Sequence, residues 1–416
     1  ILGSSQKDQN LRVLPFLAAD AVTRGSIYQA IGVEPVINCR GTFTIIGGSV
    51  ERPEVLAAMD AAAGFFVQYD ELAQAVGQRL AEVTGAEWGM ISAGCAAGMK
   101  HVTAACVTGG NPEKLVRIPD LTGFDKTQVI VPWSSRHAYD HAVRNIGVAL
   151  VTVQTLEELA RAINVRTAMI YVVTGGSTQD GQPFALRAIA QIAAAAGVPI
   201  LADAAAEDLT IPNVHLAAGA DVVTYSGGKA LCGPQCAGLV LGRKAILTAA
   251  WQASAPHHGP GRDDKIGKEE ILGMLAAVEA WTTRDHAAEW RTWLSWLDAI
   301  AAGVAGVPSV ATRVDPPGGL SNRAPMLVIR WDPAALHISG DEVAEDFART
   351  APRIAVGSGE DGGGTCIRIS PNQMRPGDAA VVADRIHGIL TAARQPRPGG
   401  MEPAAVHLGG HWDMTV

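Results

Sequence analysis

The feature that most constrains this chain is a regular alternation of short β-branched runs with alanine-rich stretches, from about residue 49 to residue 300. The runs have the length and residue types of strands, and the stretches between them have the length of single helices. Elements that alternate in this way pack as a mostly parallel sheet covered by helices. The candidate strands are residues 88–92, 129–131, 149–153, 168–173, 199–202, 222–226 and 238–242. The sequence therefore predicts an α/β fold.

The composition excludes several classes of protein. Of the 416 residues, 48% are hydrophobic and 18% are charged, which is enough apolar surface for two or three compact domains. No apolar run reaches the roughly 18 residues that a membrane-spanning helix needs. The 33 Lys and Arg against 41 Asp and Glu give a net charge of −8, which would repel a phosphate backbone. We therefore expect a small-molecule substrate, with no membrane and no nucleic-acid partner.

The cysteines indicate the compartment. None of the six forms a Cys-x-x-Cys pair, and a chain of this length does not need disulfides to fold. We therefore expect reduced thiols in the cytoplasm and no metal bound by cysteine. Residues 1–20 lack both the cationic start and the hydrophobic region of a signal peptide, which agrees with this location.

The pattern changes beyond two tryptophan-containing helical stretches at residues 268–283 and 284–302. The following residues predict a small α+β layer, in which the glycine-rich residues 357–364 are expected to be a mobile connection. We expect four parts, which are an N-terminal arm (1–45), a large domain (46–290), a small C-terminal domain (291–395) and an extended tail (396–416). The tail is rich in Pro and Gly and is expected to lie on another subunit.

A lysine follows one predicted strand in a turn bounded by glycine. Residues 224–229 read TYSGGK and lead to GPQ at residues 233–235. This is not a Walker A loop, because Val223 stands where the first glycine belongs and Ala230 follows the lysine. An unperturbed lysine is neutral in only about one molecule in 2,500 at pH 7, so an amine that attacks an aldehyde needs a desolvated position. Lys229 is therefore the candidate nucleophile.

Two further elements fit the aldehyde cofactor pyridoxal 5'-phosphate (PLP). Asp203 ends a predicted buried strand, where a carboxylate is costly unless it meets a cation such as the pyridinium nitrogen of PLP. Residues 91–98 (ISAGCAAG) are a strand end, small residues and the start of an apolar helix, whose free amides favour a phosphate. The hydroxyl of Ser226 can add to this site. The candidate phosphate-binding residues of the loop are Ser92, Gly94, Cys95 and Ala96.

These motifs, in this order, resemble the fold-type I PLP-dependent enzymes, in the branch of bacterial selenocysteine synthase and D-glucosaminate-6-phosphate ammonia-lyase. The resemblance runs from about residue 37 to residue 393, and it implies a large mostly parallel sheet domain with a small C-terminal α+β domain. It gives Lys229 the Schiff base, Asp203 the ring nitrogen, and residues 92–97 with Ser226 the phosphate. It rests on Ile37-Asn38, Gly41-Thr42, Gly47-Gly48-Ser49, Asp70-Glu71-Leu72, Thr84-Gly85-Ala86, residues 92–98, Ala138-Tyr139-Asp140-His141, residues 203–207, Ser226-Gly227-Gly228-Lys229, Gly233-Pro234-Gln235, Lys268-Glu269-Glu270 and Arg368-Ile369-Ser370-Pro371.

The resemblance also implies residues that bind the substrate. The small domain of this fold usually contributes an arginine, and Arg368 is the candidate because a guanidinium binds a carboxylate through two parallel hydrogen bonds. A surface salt bridge is the competing interpretation of Arg368. Thr42 and Ser49 are expected to line the pocket from the N-terminal segment.

The remaining implied residues concern the cofactor ring and a second subunit. His137 is expected to stack on the ring, with Arg136 as the alternative residue for that position. Arg136 is otherwise expected to contact the substrate. Arg262 is expected to reach the cofactor phosphate of a neighbouring subunit, because these enzymes usually build their sites at the interface of a homodimer. A homodimer or a higher assembly of dimers is therefore expected.

The expected reaction is a β-elimination on a small amino acid, in which Lys229 removes the α-proton and the products are a keto acid and ammonia. A racemase and a retro-aldolase stay open, because nothing in the sequence fixes which bond breaks. A selenocysteine-synthase-like transferase acting on charged tRNA is disfavoured by the −8 charge and by the lack of a basic N-terminal domain.

Overall fold

The structure, a computed structural model, describes residues 26–395. The expected tail and residues 1–25 of the expected arm lie outside the described residues. The strands of the described part are β1 (Val36–Asn38), β2 (Trp88–Ser92), β3 (Gln128–Pro132), β4 (Ala149–Val153), β5 (Thr167–Val173), β6 (Ile200–Asp203), β7 (Val222–Ser226), β8 (Gly238–Gly242), β9 (Ala311–Asp315), β10 (Met326–Trp331), β11 (Arg353–Ala355), β12 (Gly357–Asp361) and β13 (Gly364–Ile369).

Helices connect most of these strands. They are α1 (Ser26–Gln29), α2 (Pro53–Ala63), α3 (Tyr69–Thr84), α4 (Gly94–Thr108), α5 (Pro112–Leu115), α6 (His141–Arg144), α7 (Leu156–Ala162), α8 (Leu186–Ala196), α9 (Val214–Ala217), α10 (Lys244–Ala253), α11 (Lys268–Thr283), α12 (His286–Gly303), α13 (Pro333–Leu336), α14 (Gly340–Arg349) and α15 (Asp378–Thr391). The expected domain boundary after residue 290 falls inside α12.

The large sheet has seven strands in the order β2-β8-β7-β6-β5-β3-β4 within the described residues. All its neighbours pair in parallel except β8, which is antiparallel to both β2 and β7. Side chains from its two faces join separate hydrophobic cores, one with α2, α3, α8 and α11 and the other with α4, α6 and α10. Coverage on both faces explains why these strands read as continuous apolar runs. The predicted mostly parallel α/β fold is confirmed.

The C-terminal part has its own core around an antiparallel sheet in the order β12-β13-β10-β9, packed against α12, α14 and α15. Here one expectation is wrong, because residues 357–364 are not a loose connection. Most of them form β12, which pairs with β13 so that Asp361 faces Gly364. Gly362 and Gly363 make the two-residue turn with φ of 54° and 81°, and this backbone is the one that closes tight hairpins.

The short N-terminal strand β1 pairs with a strand of the C-terminal part. β1 pairs in parallel with β11, and the Ser370 amide then donates to the Cys39 carbonyl at 2.8 Å. Among the described residues no helix is long and apolar enough to cross a membrane, and no cluster of three metal-ligating side chains occurs.

Candidate active site

Three of the residues expected at the site lie at one edge of the large sheet. Ser92, Asp203 and Ser226 are the last residues of β2, β6 and β7. These three strands run in the same direction, because β8 between β2 and β7 is antiparallel to both. Their carboxyl ends therefore meet, which is where open α/β sheets bind their ligands.

Asp203 is a buried carboxylate, with 6% of its surface exposed. Its Oδ1 accepts from the Ala205 amide at 3.0 Å and from the Cys95 thiol at 3.5 Å, and its Oδ2 accepts from the Tyr171 hydroxyl at 2.9 Å. No Lys or Arg of the described residues lies within 4 Å of it. A buried acid supplied with hydrogen-bond donors but with no strong cation fits a site for the pyridinium nitrogen of PLP.

The loop expected to hold the phosphate has the required backbone. Helix α4 begins at Gly94, whose φ is 86°, and no side chain caps its first turn. The uncapped amides of Cys95 and Ala96 therefore remain for an anion. A Cβ at Gly238 would lie 2.4 Å from the Gly94 carbonyl carbon, so only glycine allows β8 to pack against this loop. The Ser92 hydroxyl donates to the Gly94 carbonyl at 2.8 Å, which shapes the loop from within.

Cys95, a residue of the phosphate loop, also lies near Asp203 and Lys229. Burial raises the pKa of its thiol well above the usual range, the charge of Asp203 raises it further, and the charge of Lys229 partly opposes this. Both charged side chains are therefore close to Cys95. The thiol stays protonated and serves as a donor to Asp203, a role that the sequence did not suggest.

Lys229 follows β7 in a turn that the N-terminal segment covers. The Ser49 amide donates to the Gly228 carbonyl at 3.1 Å, and the Arg52 amide donates to the Cys232 carbonyl at 3.3 Å. The Ser49 hydroxyl is buried without a partner in the described part of the chain, as expected of a side chain that awaits a ligand. Among residues 26–395, no carboxylate lies within 4 Å of the Lys229 ammonium, so a salt bridge does not hold it.

The glycine motifs around Lys229 have a packing reason. A Cβ at Gly228 would lie 2.2 Å from Oε1 of Gln235, and one at Gly48 would lie 1.7 Å from the same atom. Gln235 of the GPQ motif therefore sits between the lysine turn and the N-terminal segment. Sequence reasoning found this motif by resemblance but gave it no contact.

His137 lies at the site and Arg136 beside it is already engaged. His137 Nε2 is 3.0 Å from the Tyr171 hydroxyl and 3.9 Å from Oδ2 of Asp203. The Arg136 guanidinium instead donates to the Asp140 carboxylate and to the Thr152 hydroxyl. Burial acts to raise the pKa of Asp140, but Arg136 and Arg144 outweigh it and hold the pKa below the usual range. This ion pair makes Arg136 a support of the turn.

The two remaining arginines lie in different settings. Arg368 donates to the carbonyls of Ser358 and Glu360, both at 3.1 Å, within the small sheet. Arg262 is exposed, and its guanidinium has no hydrogen bond or ion pair within the described range. The loop that carries Arg262 is anchored by the buried Lys100, whose ammonium contacts Asp263 at 2.7 Å and Asp264 at 2.9 Å.

A second buried polar cluster follows Asp203. The Glu207 carboxylate lies 2.6 Å from Nε2 of His215 and accepts from the Thr174 hydroxyl at 2.8 Å. Glu207 lies in a bridge to Ser321 and not at the first turn of a helix, so its carboxylate does not cap one.

The architecture and the site agree with known proteins. Residues 120–261 match the family model "Aminotransferase class-V". The solved structure of D-glucosaminate-6-phosphate ammonia-lyase superposes with a TM-score of 0.78 at 27% identity, over 88% of this chain and 99% of that one. Sheet, site and matches together define a PLP-dependent enzyme of fold type I.

Sequence relatives place the chain more closely. It is 35% identical to D-glucosaminate-6-phosphate ammonia lyase of Salmonella typhimurium (strain 14028s / SGSC 2262), over 61% of this chain and 69% of that protein. It is 30% identical to 5'-C-glycyluridine monooxygenase-decarboxylase of a Streptomyces species, over 91% and 95%. An L-seryl-tRNA(Sec) selenium transferase of Serratia proteamaculans (strain 568) is 29% identical over 61% and 58%. The chain belongs to the branch of fold-type I PLP enzymes that includes these proteins, and its cofactor is PLP.

Proposed function

We propose that the protein is a PLP-dependent lyase that acts on an α-amino acid with a leaving group on Cβ. It removes the α-proton, expels the Cβ substituent, and releases a keto acid and ammonia after one water hydrolyses the unsaturated product. One observation carries this proposal. A buried Asp203 with no Lys or Arg within 4 Å, and a Lys229 with no salt bridge among the described residues, lie at or just after the ends of strands that meet at the candidate phosphate loop. The 35% identity to an ammonia lyase supports the reaction type.

The residues that would hold the cofactor follow from the geometry. Lys229 would carry it covalently, Asp203 would face its ring nitrogen, and the amides at the start of α4 with Ser226 would bind its phosphate. We propose that His137 packs against the ring, since it already lies beside Asp203. When bound, PLP supplies an electron sink for the electron pair that remains at Cα.

The chain itself then moves one proton and orients the substrate. Once the amino group of the substrate has displaced Lys229 from the cofactor, the free Nζ of Lys229 would be the base that takes the proton from Cα. Ser49 and Thr42, on the segment that covers the lysine turn, would contact the substrate. The cover over Gly228 also limits the entry of water to the lysine.

Assembly and location are proposed as well. The exposed Arg262 with its unengaged guanidinium supports a homodimer in which it reaches the partner's cofactor phosphate. The six cysteines, all free in the structure, support a cytoplasmic location.

A second candidate is a monooxygenase-decarboxylase that acts on a glycyl-substituted nucleoside. It is favoured by one observation, which is that the Streptomyces relative of that name matches over nearly the full length of both chains. Both reactions begin with labilisation of a bond at Cα, so the cofactor residues alone do not separate them.

The decisive experiment supplies the holoenzyme with D- and L-serine, D- and L-threonine, D-glucosaminate, its 6-phosphate and 5'-C-glycyluridine. We expect equal amounts of keto acid and ammonia, the same rate without oxygen, and exchange of the α-hydrogen in deuterium oxide. Lys229→Ala is the inactive control. Oxygen consumption with release of carbon dioxide would establish the second candidate instead, inversion without ammonia would indicate a racemase, and an aldehyde product would indicate a retro-aldolase.

The proposed role of Arg368 gives a separate prediction. Two of its N–H groups are used by backbone carbonyls, and the others remain for the substrate carboxylate. We expect Arg368→Lys to raise KM about tenfold or more, because the bidentate geometry is lost, with little change in the absorbance of the bound cofactor.

Arg330→Lys is the matched control for this variant. Arg330 lies on β10, next to β13, and faces the same side of the small sheet as Arg368. Its substitution should leave KM unchanged. Equal KM values in both variants and in the native enzyme would contradict substrate binding by Arg368 and would show that it only stabilises the hairpin of β12 and β13.

A further inference from the structure

Tyr171 is a buried tyrosine that sequence reasoning did not single out. It lies on β5, next to β6, and faces the core that contains α4. Its side chain is fully buried, with 0% exposed. Its hydroxyl is 2.9 Å from Oδ2 of Asp203 and 3.0 Å from Nε2 of His137. It therefore stands between the two side chains expected to contact the cofactor ring.

The direction of each hydrogen bond in this chain of contacts is fixed by a backbone group. The Tyr139 amide can only donate, and it donates to Nδ1 of His137 at 3.0 Å. Nδ1 therefore carries no proton, and the proton of the neutral ring is on Nε2. Nε2–H then donates to the Tyr171 oxygen, and the Tyr171 hydroxyl donates to Asp203.

The hydrogen bonds from His137 to Tyr171 and from Tyr171 to Asp203 thus both donate in the direction of Oδ2 of Asp203. Consecutive hydrogen bonds of the same direction polarise one another, and a donor to a carboxylate stabilises its ionised form. Burial and then the charge of Asp203 raise the pKa of Tyr171 well above its usual range. The phenol therefore keeps its proton throughout the working pH range and stays a donor.

We propose that Tyr171 is a positioning residue that keeps Asp203 ionised and oriented, so that the proton shared with the cofactor ring nitrogen stays on that nitrogen. The inference rests on the proposed role of Asp203. Without the hydroxyl, the carboxylate becomes more basic and draws the proton from the ring. The ring is then a weaker electron sink, although the cofactor is still bound.

The test compares Tyr171→Phe with a matched control, Tyr225→Phe. Tyr225 is also a buried tyrosine of the large sheet, but it faces the opposite core and its hydroxyl accepts from the side-chain Nδ2 of Asn213 at 2.7 Å. Both variants remove one buried hydroxyl. Cofactor content and thermal melting of the two variants should be similar, which separates a specific effect from a general loss of stability.

The first readout needs no turnover. The variants are loaded with PLP labelled with nitrogen-15 in the ring, and the NMR signal is compared with free cofactor in acid and in base. Tyr171→Phe should move the signal from the protonated toward the unprotonated position, and Tyr225→Phe should leave it unchanged. A Tyr171→Phe signal equal to that of Tyr225→Phe would overturn the inference.

The second readout is kinetic. Loss of a hydrogen bond to a charged group should lower kcat of Tyr171→Phe about tenfold to a hundredfold, with KM changed by less than about threefold. In an Asp203→Asn background, Tyr171→Phe should cause no further loss, because it acts through the carboxylate. A further loss in that background would contradict the inference.

The same measurements distinguish this inference from the proposals on which it rests. If Asp203→Asn itself leaves the ring-nitrogen signal unchanged, then Asp203 does not face that nitrogen and both proposals fail. If Asp203→Asn moves the signal and Tyr171→Phe does not, only the role of Tyr171 fails. If no amino acid is turned over, the lyase proposal fails while the NMR comparison still tests Tyr171.

Discussion

Lys229→Ala is expected to abolish the covalent attachment of PLP and to lower turnover by about three orders of magnitude or more, because the same amine holds the cofactor and takes the α-proton. Reduction of the native holoenzyme with borohydride, followed by peptide mapping, should place the cofactor on the peptide that contains Lys229. The variant should show no labelled peptide.

Lys265→Ala is the control for this experiment. Lys265 is exposed and has no ion pair in the described part of the chain, so its replacement should leave both the label and the turnover unchanged. A label on Lys265 or Lys100 would refute the assignment of Lys229.

Asp203→Asn is expected to retain PLP and to lose about three orders of magnitude in kcat, which corresponds to roughly 4 kcal/mol in the barrier. An amide cannot pair with a protonated ring nitrogen as a carboxylate does, so the electron sink is weakened. Cofactor content by absorbance and kcat on the best substrate of the panel are the measurements.

Asp221→Asn is the matched control. Asp221 precedes β7 and so lies at the amino end of that strand, away from the site. It accepts from the Ile200 amide at 2.8 Å and forms an ion pair with Arg243 at 2.9 Å. Its substitution should lower stability by about 1 kcal/mol and leave kcat near the native value. Near-native turnover in Asp203→Asn would contradict the electron-sink role.

The sequence was most informative about the residues that follow strands of the large sheet. Apolar runs that end in a polar residue identified Ser92, Asp203 and Ser226 as strand-end residues. The structure adds that these three ends meet, because the strands run in the same direction. The uncapped start of α4 was also predictable, since small residues after a strand leave its amides free.

Side-chain contacts across strands could not be predicted in the same way. Tyr171 looks like any apolar strand residue, and its contact with Asp203 depends on the order of β5 and β6 and on a rotamer. The same is true of the Cys95 thiol, which was noted only for its backbone. Likewise, the glycines at 357–364 suggested mobility, because the pairing of β12 with β13 is a tertiary property that local composition does not contain.

The contacts of the N-terminal segment bear on the order in which the parts of the protein fold. The Val50 amide donates to Gln373, 323 residues further along the chain, and β1 needs β11 as its partner. Contacts of such long range form late, because the intervening chain must first be closed into a loop. A growing polypeptide that has completed only the seven-stranded sheet therefore lacks both of these partners, although the contacts of Ser49 and Arg52 with the lysine turn can already form. The N-terminal segment thus precedes the large sheet in the sequence but is fully anchored only after residues 353–373 have been made and folded.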